Sequence, residues 1–285
     1  MVELIEAAQQ RRVRPLFAAL HLGLVLDAVL AGNSPGVMWA GDTGSPRSVL
    51  LWDKGHCFYL AGAADNVALN AEWAERLRRE VLPQAAARGL SVFKVHYSDA
   101  EWEEPAAGLF RNLALTRRTR AFYTLGTWAA GPARSTAEPL GPIGVPEGLV
   151  LQPIDRALLA DRELVHRGEL VAEIESMWPS VGRFLDYGFG LCLLRGKEIV
   201  CRCTAEYVSG KQCGVGIATF PGYEGRGLAT LTARAFVARC LREGIAPHWD
   251  CWTSNLPSVA VAEKVGFVRD VEYAVWFGVM NDGNV

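Results

Sequence analysis

The sequence predicts an α/β protein of the α+β kind, in which a mixed central sheet is flanked by helices and the chain is divided into two domains. Three observations predict it. At 285 residues the chain exceeds the usual size of one domain, and half of those residues are hydrophobic, enough for two cores. Apolar runs with a repeat of two, joined by glycine turns, give way to runs with a helical repeat. Between Gly126 and Gly148, Pro132, Pro139, Pro142 and Pro146 stand among glycines, a composition that forbids helix and resists sheet. The stretch 126–148 therefore reads as a linker between domains 1–125 and 149–285.

In the first half, Arg11, Arg12 and Arg14 precede an apolar run from Leu16 to Ala31. His21 and Asp27 interrupt the run, and it is too short to span a bilayer. It reads as a core helix with Leu16, Leu20, Gly23, Leu24 and Asp27 at turn spacing, in a protein expected in the cytoplasm. Cys57 to Gly62 is a strand, 71–88 a helix that exits at Arg88-Gly89, and Ser91 to Tyr97 a strand with Phe93, Val95 and Tyr97 on one face. A helix and a strand follow, up to Leu125.

The second half opens with a short strand, Leu149 to Gln152, and helical periodicity over 155–178 interrupted by Gly168. Three antiparallel strands come next. Gly188 to Arg195 and Glu198 to Val208 join at Gly196-Lys197, and a turn at Ser209-Gly210 leads into Gln212 to Phe220. The loop Pro221-Gly-Tyr-Glu-Gly-Arg-Gly-Leu-Ala229 then opens a helix whose apolar face is Ala229, Ala233, Phe236, Val237, Cys240 and Leu241. Gly244 ends that helix and His248 to Thr253 is a strand. Ser254 or Asn255 caps a short helix that stops at Lys264-Val265-Gly266, and Phe267 to Phe277 supplies the last strands.

A formal net charge of -2 leaves no basic footprint for nucleic acid and no polybasic patch for a membrane, so a small-molecule substrate is expected. The seven cysteines include no C-x-x-C pair and read as reduced thiols. No set of them has the spacing of a metal site, and none is expected.

The glycine loop is the strongest chemical signal. Gly225 and Gly227 let the backbone approach a phosphate, and the following helix presents free N–H groups and its positive dipole end. A tight turn feeding a core helix is the structural alternative. A dinucleotide fingerprint is the chemical one, with Asp250 near the place of a ribose-binding acid. Thr230 stands where that fingerprint needs its third glycine, and the loop follows an antiparallel meander, so coenzyme A is favoured.

This element order, with Arg226 in the glycine loop and Asn255-Leu-Pro-Ser-Val-Ala-Val-Ala-Glu-Lys-Val-Gly-Phe267 beyond the next strand, resembles the GNAT acyltransferase superfamily over residues 149 to 278. Pro247-His-Trp-Asp-Cys-Trp252, with Tyr59-Leu-Ala-Gly62 and Pro46-Arg-Ser48 in the first half, is similar to the branch that includes the zwittermicin A resistance acetyltransferase. The first half repeats the second in outline, but Asp65-Asn-Val-Ala-Leu-Asn70 replaces the glycine loop, so two tandem GNAT-like domains are expected with the N-terminal copy degenerate.

The resemblance implies an N-acetyltransferase that uses acetyl-CoA as co-substrate and transfers the acetyl group by direct attack of an amine. The acceptor it suggests is a small metabolite or antibiotic. A protein N-terminus or lysine, or a non-enzymatic acyl-CoA sensor, are the alternatives, and the chain is expected to be a monomer or homodimer. On the family's loop pattern fall Glu224, Gly227 and Ala229. The amides of Gly225, Arg226, Gly227, Leu228, Ala229 and Thr230 are expected to cradle the pyrophosphate, with Arg226 offsetting the unusual acid at Glu224. The resemblance also places backbone N–H groups of Ile217 or Ala218, beside Thr219, at the thioester oxygen, and Asn255 with Ser258 near the pantetheine arm.

A protonated amine needs a base, and Glu206, near the end of the second meander strand, is the candidate. Gly214 and Ala262 occupy places where the family often carries a glutamate base and a tyrosine acid. Tyr273, Cys251 or Ser254 are the substitutes considered for the acid. Trp249 and Trp252 are expected in the core, with His248 and Asp250 on the opposite face.

Overall fold

The computed structural model describes residues 2–4, 6–42, 44–126 and 144–280. Most of the stretch 126–148, which the sequence suggests as a linker, lies outside the described residues. By contact density the chain forms two compact units, Met1–Arg120 with Tyr273–Val285, and Ala121–Glu272. Both are mixed α/β.

The first unit carries strands β1 (Val2–Glu3), β2 (Val37–Ala40), β3 (Ser48–Trp52), β4 (Cys57–Gly62) and β5 (Val92–Tyr97), in that order across its sheet. Its helices are α1 (Ala7–Arg12), α2 (Leu20–Leu30), α3 (Val67–Arg76), α4 (Leu82–Ala87) and α5 (Glu103–Leu109). A π-helical turn, Leu77–Val81, carries α3 into α4. Strand β4 pairs in parallel with β5 from Cys57–Lys94 to Leu60–Tyr97, and the Ser98 N–H extends the ladder to the Leu60 carbonyl at 2.9 Å. Phe58, Leu60, Phe93 and Val95 pack from the sheet against Trp73, Leu77, Trp102 and Leu109.

The chain leaves this unit along β6 (Leu113–Leu125), whose last residues belong to the second unit, and returns to it along β12 (Phe267–Met280). The second unit holds β7 (Val150–Pro153), β8 (Gly190–Arg195), β9 (Glu198–Ser209), β10 (Gln212–Thr219) and β11 (Ala246–Trp252), ordered β11-β10-β9-β8-β7. Strands β7 to β10 are antiparallel neighbours, and β10 pairs with β11 in parallel.

Where periodicity predicts two helices over 155–178 with the break at Gly168, the chain forms α6 (Arg156–Ala160), α7 (Arg167–Met177) and a further α8 (Val181–Tyr187). The break lies at 161–166, where Asp161 turns the chain and His166 takes a left-handed φ of 66°; Gly168 sits inside the first turn of α7. Likewise the first-half helix starts at Val67, because the Asn66 side chain accepts from the Leu69 N–H and caps it. The loop expected over 65–70 is thus mostly helix.

The long helix α9 (Leu228–Glu243) buries Ala233, Phe236, Val237 and Cys240 as its periodicity predicts, and ends at Gly244 in the left-handed region. Helix α10 (Leu256–Val265) is capped by Asn255 and closed by Gly266. Ala233 and Val237 meet Trp249, Cys251, Ala262 and Val265 in one cluster. All seven cysteines are buried thiols outside any disulfide.

Candidate active site

Strand alternation sets the faces of the second unit. Cys203 and Ala205 of β9 and Trp249 and Cys251 of β11 lie in clusters that include residues of α9. Their neighbours of opposite parity, Thr204 and Glu206 on β9 and His248, Asp250 and Trp252 on β11, therefore share the other face. The expectation that Trp249 and Trp252 sit together in the core is corrected here. Trp249 is 1 % exposed, whereas Trp252 is half-buried beside Asp250, because residues three apart in a strand face opposite ways.

The ladder between β10 and β11 is short. It runs from Gln212–Ala246 through Cys213–Pro247 to Gly214–His248 and stops there, while β10 stays paired with β9 as far as Thr219–Cys201. Beyond Gly214 the two strands diverge, and Val215 to Thr219, including Ile217 and Ala218, present their β11 side outside any ladder. A flat acyl-pantetheine arm fits such an opening, with backbone N–H groups available to a thioester oxygen. Among the described residues the first unit has no such opening, since β4 and β5 stay paired through Leu60–Tyr97. There the Trp102 indole N–H donates to the Gly62 carbonyl at 2.7 Å and fills the end of the pair.

Glu206 stands at the divergence. It faces Gly214 across the ladder, and the register slips between Gln212 and Gly214, where Tyr207 adopts a left-handed φ of 49°. This bulge turns the strand beside the carboxylate, a common device for re-aiming a side chain. The buried Trp178 indole N–H holds the strand by donating to the Ala205 carbonyl at 3.0 Å. The Glu206 side chain leans off β9 over Gly216, whose missing Cβ leaves room for it. Thr204, 3 % exposed, places its hydroxyl at the same spot, and that hydroxyl has no hydrogen-bond partner among the described residues.

The glycine loop follows β10. Gly222, Gly225 and Gly227 all take left-handed φ angles, 86°, 72° and 76°, which explains three glycines in six residues. Gly227 is the N-cap of α9, and no side chain among the described residues caps that end, so the first-turn amides of Leu228, Ala229 and Thr230 are left for another acceptor. Pyrophosphate oxygens suit them. The loop braces itself. The Glu224 carboxylate accepts from the Gly222 N–H at 2.7 Å, and Arg226 donates to the Gly222 carbonyl at 2.7 Å. The unusual acid is thus turned into its own loop. Tyr223 donates to Glu198 on β9 at 2.6 Å, tying the loop to the sheet.

The other residues that the sequence nominates for the site occupy structural positions. Asn255 Oδ1 accepts from the Ser258 N–H as the cap of α10, and the Ser258 hydroxyl accepts from the Trp249 indole at 3.1 Å. Thr219 directs its hydroxyl at the Cys201 sulfur, 3.5 Å away. Cys251 is buried in the α9–α10 cluster, and Ala262 lies there too. Tyr273 belongs to the other unit, where it stacks on His21 at 3.9 Å and approaches His96 at 5.9 Å.

His248 carries no site signal in the linear sequence beyond its strand face. Its parity with Asp250 and its rung with Gly214 place it on the Glu206 face. It is 7 % exposed and stacks on Phe122 with ring centroids 5.3 Å apart. Burial pushes its pKa down to about 4, the nearby Asp270 pulling the other way.

The chain is 26 % identical over 250 residues to an uncharacterized N-acetyltransferase of Bacillus subtilis strain 168, YdfB, with 88 % of each chain covered. Among solved structures it is similar to a GCN5-related N-acetyltransferase-like protein from Streptococcus suis, with a TM-score of 0.66, 23 % identity, and 95 % and 99 % of the two chains covered. It is also similar in fold to a tandem GNAT protein from the clavulanic acid biosynthesis pathway, with a TM-score of 0.60, 14 % identity, and 99 % and 98 % covered. The family model for GNAT acetyltransferases matches residues 14–276, which takes in both units, and the chain belongs to that family of N-acetyltransferases, whose acetyl donor is acetyl-CoA.

Proposed function

We propose that the chain acetylates the primary amine of a small metabolite or antibiotic, with Glu206 receiving the amine's proton. The observation that carries this reading is the Glu206 carboxylate lying over Gly216 where β10 leaves β11. An amine with a pKa of about 10 is mostly protonated at neutral pH, so a carboxylate on the acceptor side has a task to perform. Asp250 shares the Glu206 face and adds to its attraction for an ammonium group.

The donor side is supplied by the chain's backbone. Amides of Gly225 through Thr230 hold the pyrophosphate, and N–H groups of Ile217 or Ala218 on the free side of β10 polarise the thioester carbonyl. The amine nitrogen bonds to the carbonyl carbon, the C–S bond breaks, the nitrogen sheds its second proton to water, and the thiolate takes up a proton as it leaves as coenzyme A. With a thiol pKa of about 8.5 that leaving group needs little help from an acid, which suits a site with Ala262 in place of a tyrosine. The acceptor class follows the resemblance of Pro247–Trp252 to the antibiotic-resistance branch, and a protein amine is the competing acceptor.

The test is thiol release from acetyl-CoA over a panel of small amines and peptides, with Glu206→Gln beside the wild type. Turnover on small amines, and its loss in the variant near neutral pH, supports the assignment. Full activity in Glu206→Gln removes Glu206 from the mechanism, and turnover on peptides alone removes the small-molecule reading.

A further inference from the structure

The transferase reading uses the half-buried Glu206 but leaves a buried imidazole on the same face without a task. Glu206 faces Gly214 on one side, and His248 faces Gly214 on the other, so the three residues form one rung across β9, β10 and β11. Strands lie about 4.8 Å apart, which puts the Cα atoms of Glu206 and His248 about 10 Å apart on one face. No side chain of β10 stands between them, because both 214 and 216 are glycine. The carboxylate leans off β9 and lies over Gly216, two residues along β10 from that rung. His248 is 7 % exposed, yet neither ring nitrogen has a hydrogen-bond partner among the described residues. A buried imidazole with both nitrogens unserved is costly, and such groups occur where a ligand or a bound water completes them.

We propose that His248 is the positioning partner of Glu206, holding the water through which the acceptor's proton reaches the carboxylate. This rests on the transferase reading above. The water oxygen accepts the N–H of the ammonium group. One water O–H donates to the ring nitrogen of His248 that carries no proton, and the other donates to Glu206. As the amine proton moves to the water, the second O–H proton moves to the carboxylate. The sum is an ammonium and a carboxylate converted to an amine and a carboxylic acid, with the water regenerated. The imidazole must be neutral to accept this bond, and burial holds it neutral near pH 7. The stack on Phe122 fixes the ring plane.

The experiment compares wild type, Glu206→Gln, His248→Phe and His248→Gln with acetyl-CoA and four acceptors: spermidine, glucosamine, tryptamine and lysine. Phenylalanine keeps the ring stack and removes the acceptor nitrogen; glutamine returns an acceptor oxygen. The expected result is a kcat for His248→Phe about tenfold or more below wild type, with both KM values within about twofold, and a His248→Gln within about threefold of wild type. Unfolding midpoints are measured first, and if the phenylalanine chain does not fold, His248→Met takes its place. A His248→Phe as fast as wild type overturns the inference while Glu206→Gln remains slow. So does a defect confined to the acetyl-CoA KM, or a His248→Gln as slow as His248→Phe. No thiol release by the wild type from any of these amines overturns the small-amine reading, and this inference with it.

Discussion

The carboxylate of Glu206 occupies the space above Gly216 that any larger residue would claim. A Cβ at position 216 would meet Glu206 Cδ and Thr204 Oγ1, each at 2.8 Å, and would collide with a carboxylate oxygen. Gly216 is not among the residues with positive φ, so its backbone would accept alanine without strain. The glycine is there for the neighbour's side chain, not for its own torsion.

Gly216→Ala therefore separates the position of the carboxylate from its presence. The added methyl drives Glu206 off β10, and kcat is expected to fall about tenfold or more, with a stability loss of about 1–3 kcal/mol from overpacking. Thiol release and chemical unfolding measure the two. Unchanged kcat in a destabilised chain would mean that catalysis does not depend on where this carboxylate sits.

Gly227 tests the donor side. It caps α9 at a φ of 76° with no described atom within 4 Å of its missing Cβ, so substitution brings backbone strain without a clash. Gly227→Ala is expected to cost about 1–2 kcal/mol of stability. Gly227→Glu places an anion at the helix N-terminus, where it favours the helix but repels phosphate. Calorimetric affinity for coenzyme A should then fall about tenfold further than in the alanine variant. Equal affinity of the two variants would remove the loop from the phosphate site.

Much of this arrangement is legible in the chain. Alternation delimits β8, β9 and β10 to within two residues at each end, and the glycine loop, the α9 face and the Asn255 cap can all be read from local chemistry. What escapes is non-local. The bulge at Tyr207 and the lean of Glu206 over Gly216 depend on register between strands, and no single strand encodes that. Gly214 reads as a gap in a family pattern until the ladder shows it, with Gly216, as the floor between Glu206 and His248. Strands β2 and β3 go unread because they are buried almost throughout, so their apolar runs do not alternate. The helix break at 161–166 depends on a left-handed histidine, which propensity does not anticipate.

The tie between Tyr223 and Glu198 holds the loop to β9 through one bond of 2.6 Å, with the Arg226 guanidinium 5.3 Å from the tyrosine ring. Tyr223→Phe removes the bond and keeps the ring. A bond to a charged acceptor contributes about 1.5–3 kcal/mol when buried, and this one is partly exposed, so a rise in the acetyl-CoA KM of about threefold is expected. The kcat at saturating donor should stay within about twofold. An unchanged KM would show that the loop keeps its shape without the tie.

Acid should destabilise the fold before the carboxylates titrate. Burial lowers the pKa of His248 from 6.5 to about 4 and holds His96 well below 6.5, its neighbours Arg120, Lys94 and His21 adding to the effect. Below pH 6.5 the unfolded chain binds protons at these positions and the folded chain does not. Stability is therefore full above 6.5 and is lost as pH falls toward 4, by about 3 kcal/mol for His248. Denaturant unfolding at pH 7.5 and 4.5 measures the difference, which should shrink in His248→Phe. An identical pH dependence in that variant would place the titrating groups elsewhere.

Coenzyme A should bind the chain at one site, although the first unit repeats the outline of the second. Parallel strands β4 and β5 stay paired to Leu60–Tyr97, the Trp102 indole occupies the end of that pair through Gly62, and Asn66 caps α3 with its own side chain. Each of the three features that suit the second unit to the donor, a split strand pair, a free helix end and a glycine loop, is closed or missing among the described residues of the first. Asn66→Ala frees an amide at α3 but leaves the strand pair shut, so it should create no new site. Titration calorimetry is expected to give a stoichiometry of one for wild type and for Asn66→Ala, and only the weakened site, with no tight one, for Gly227→Glu. Residual tight binding in Gly227→Glu would locate a site in the first unit, and the closed β4–β5 pair would then have to open to admit it.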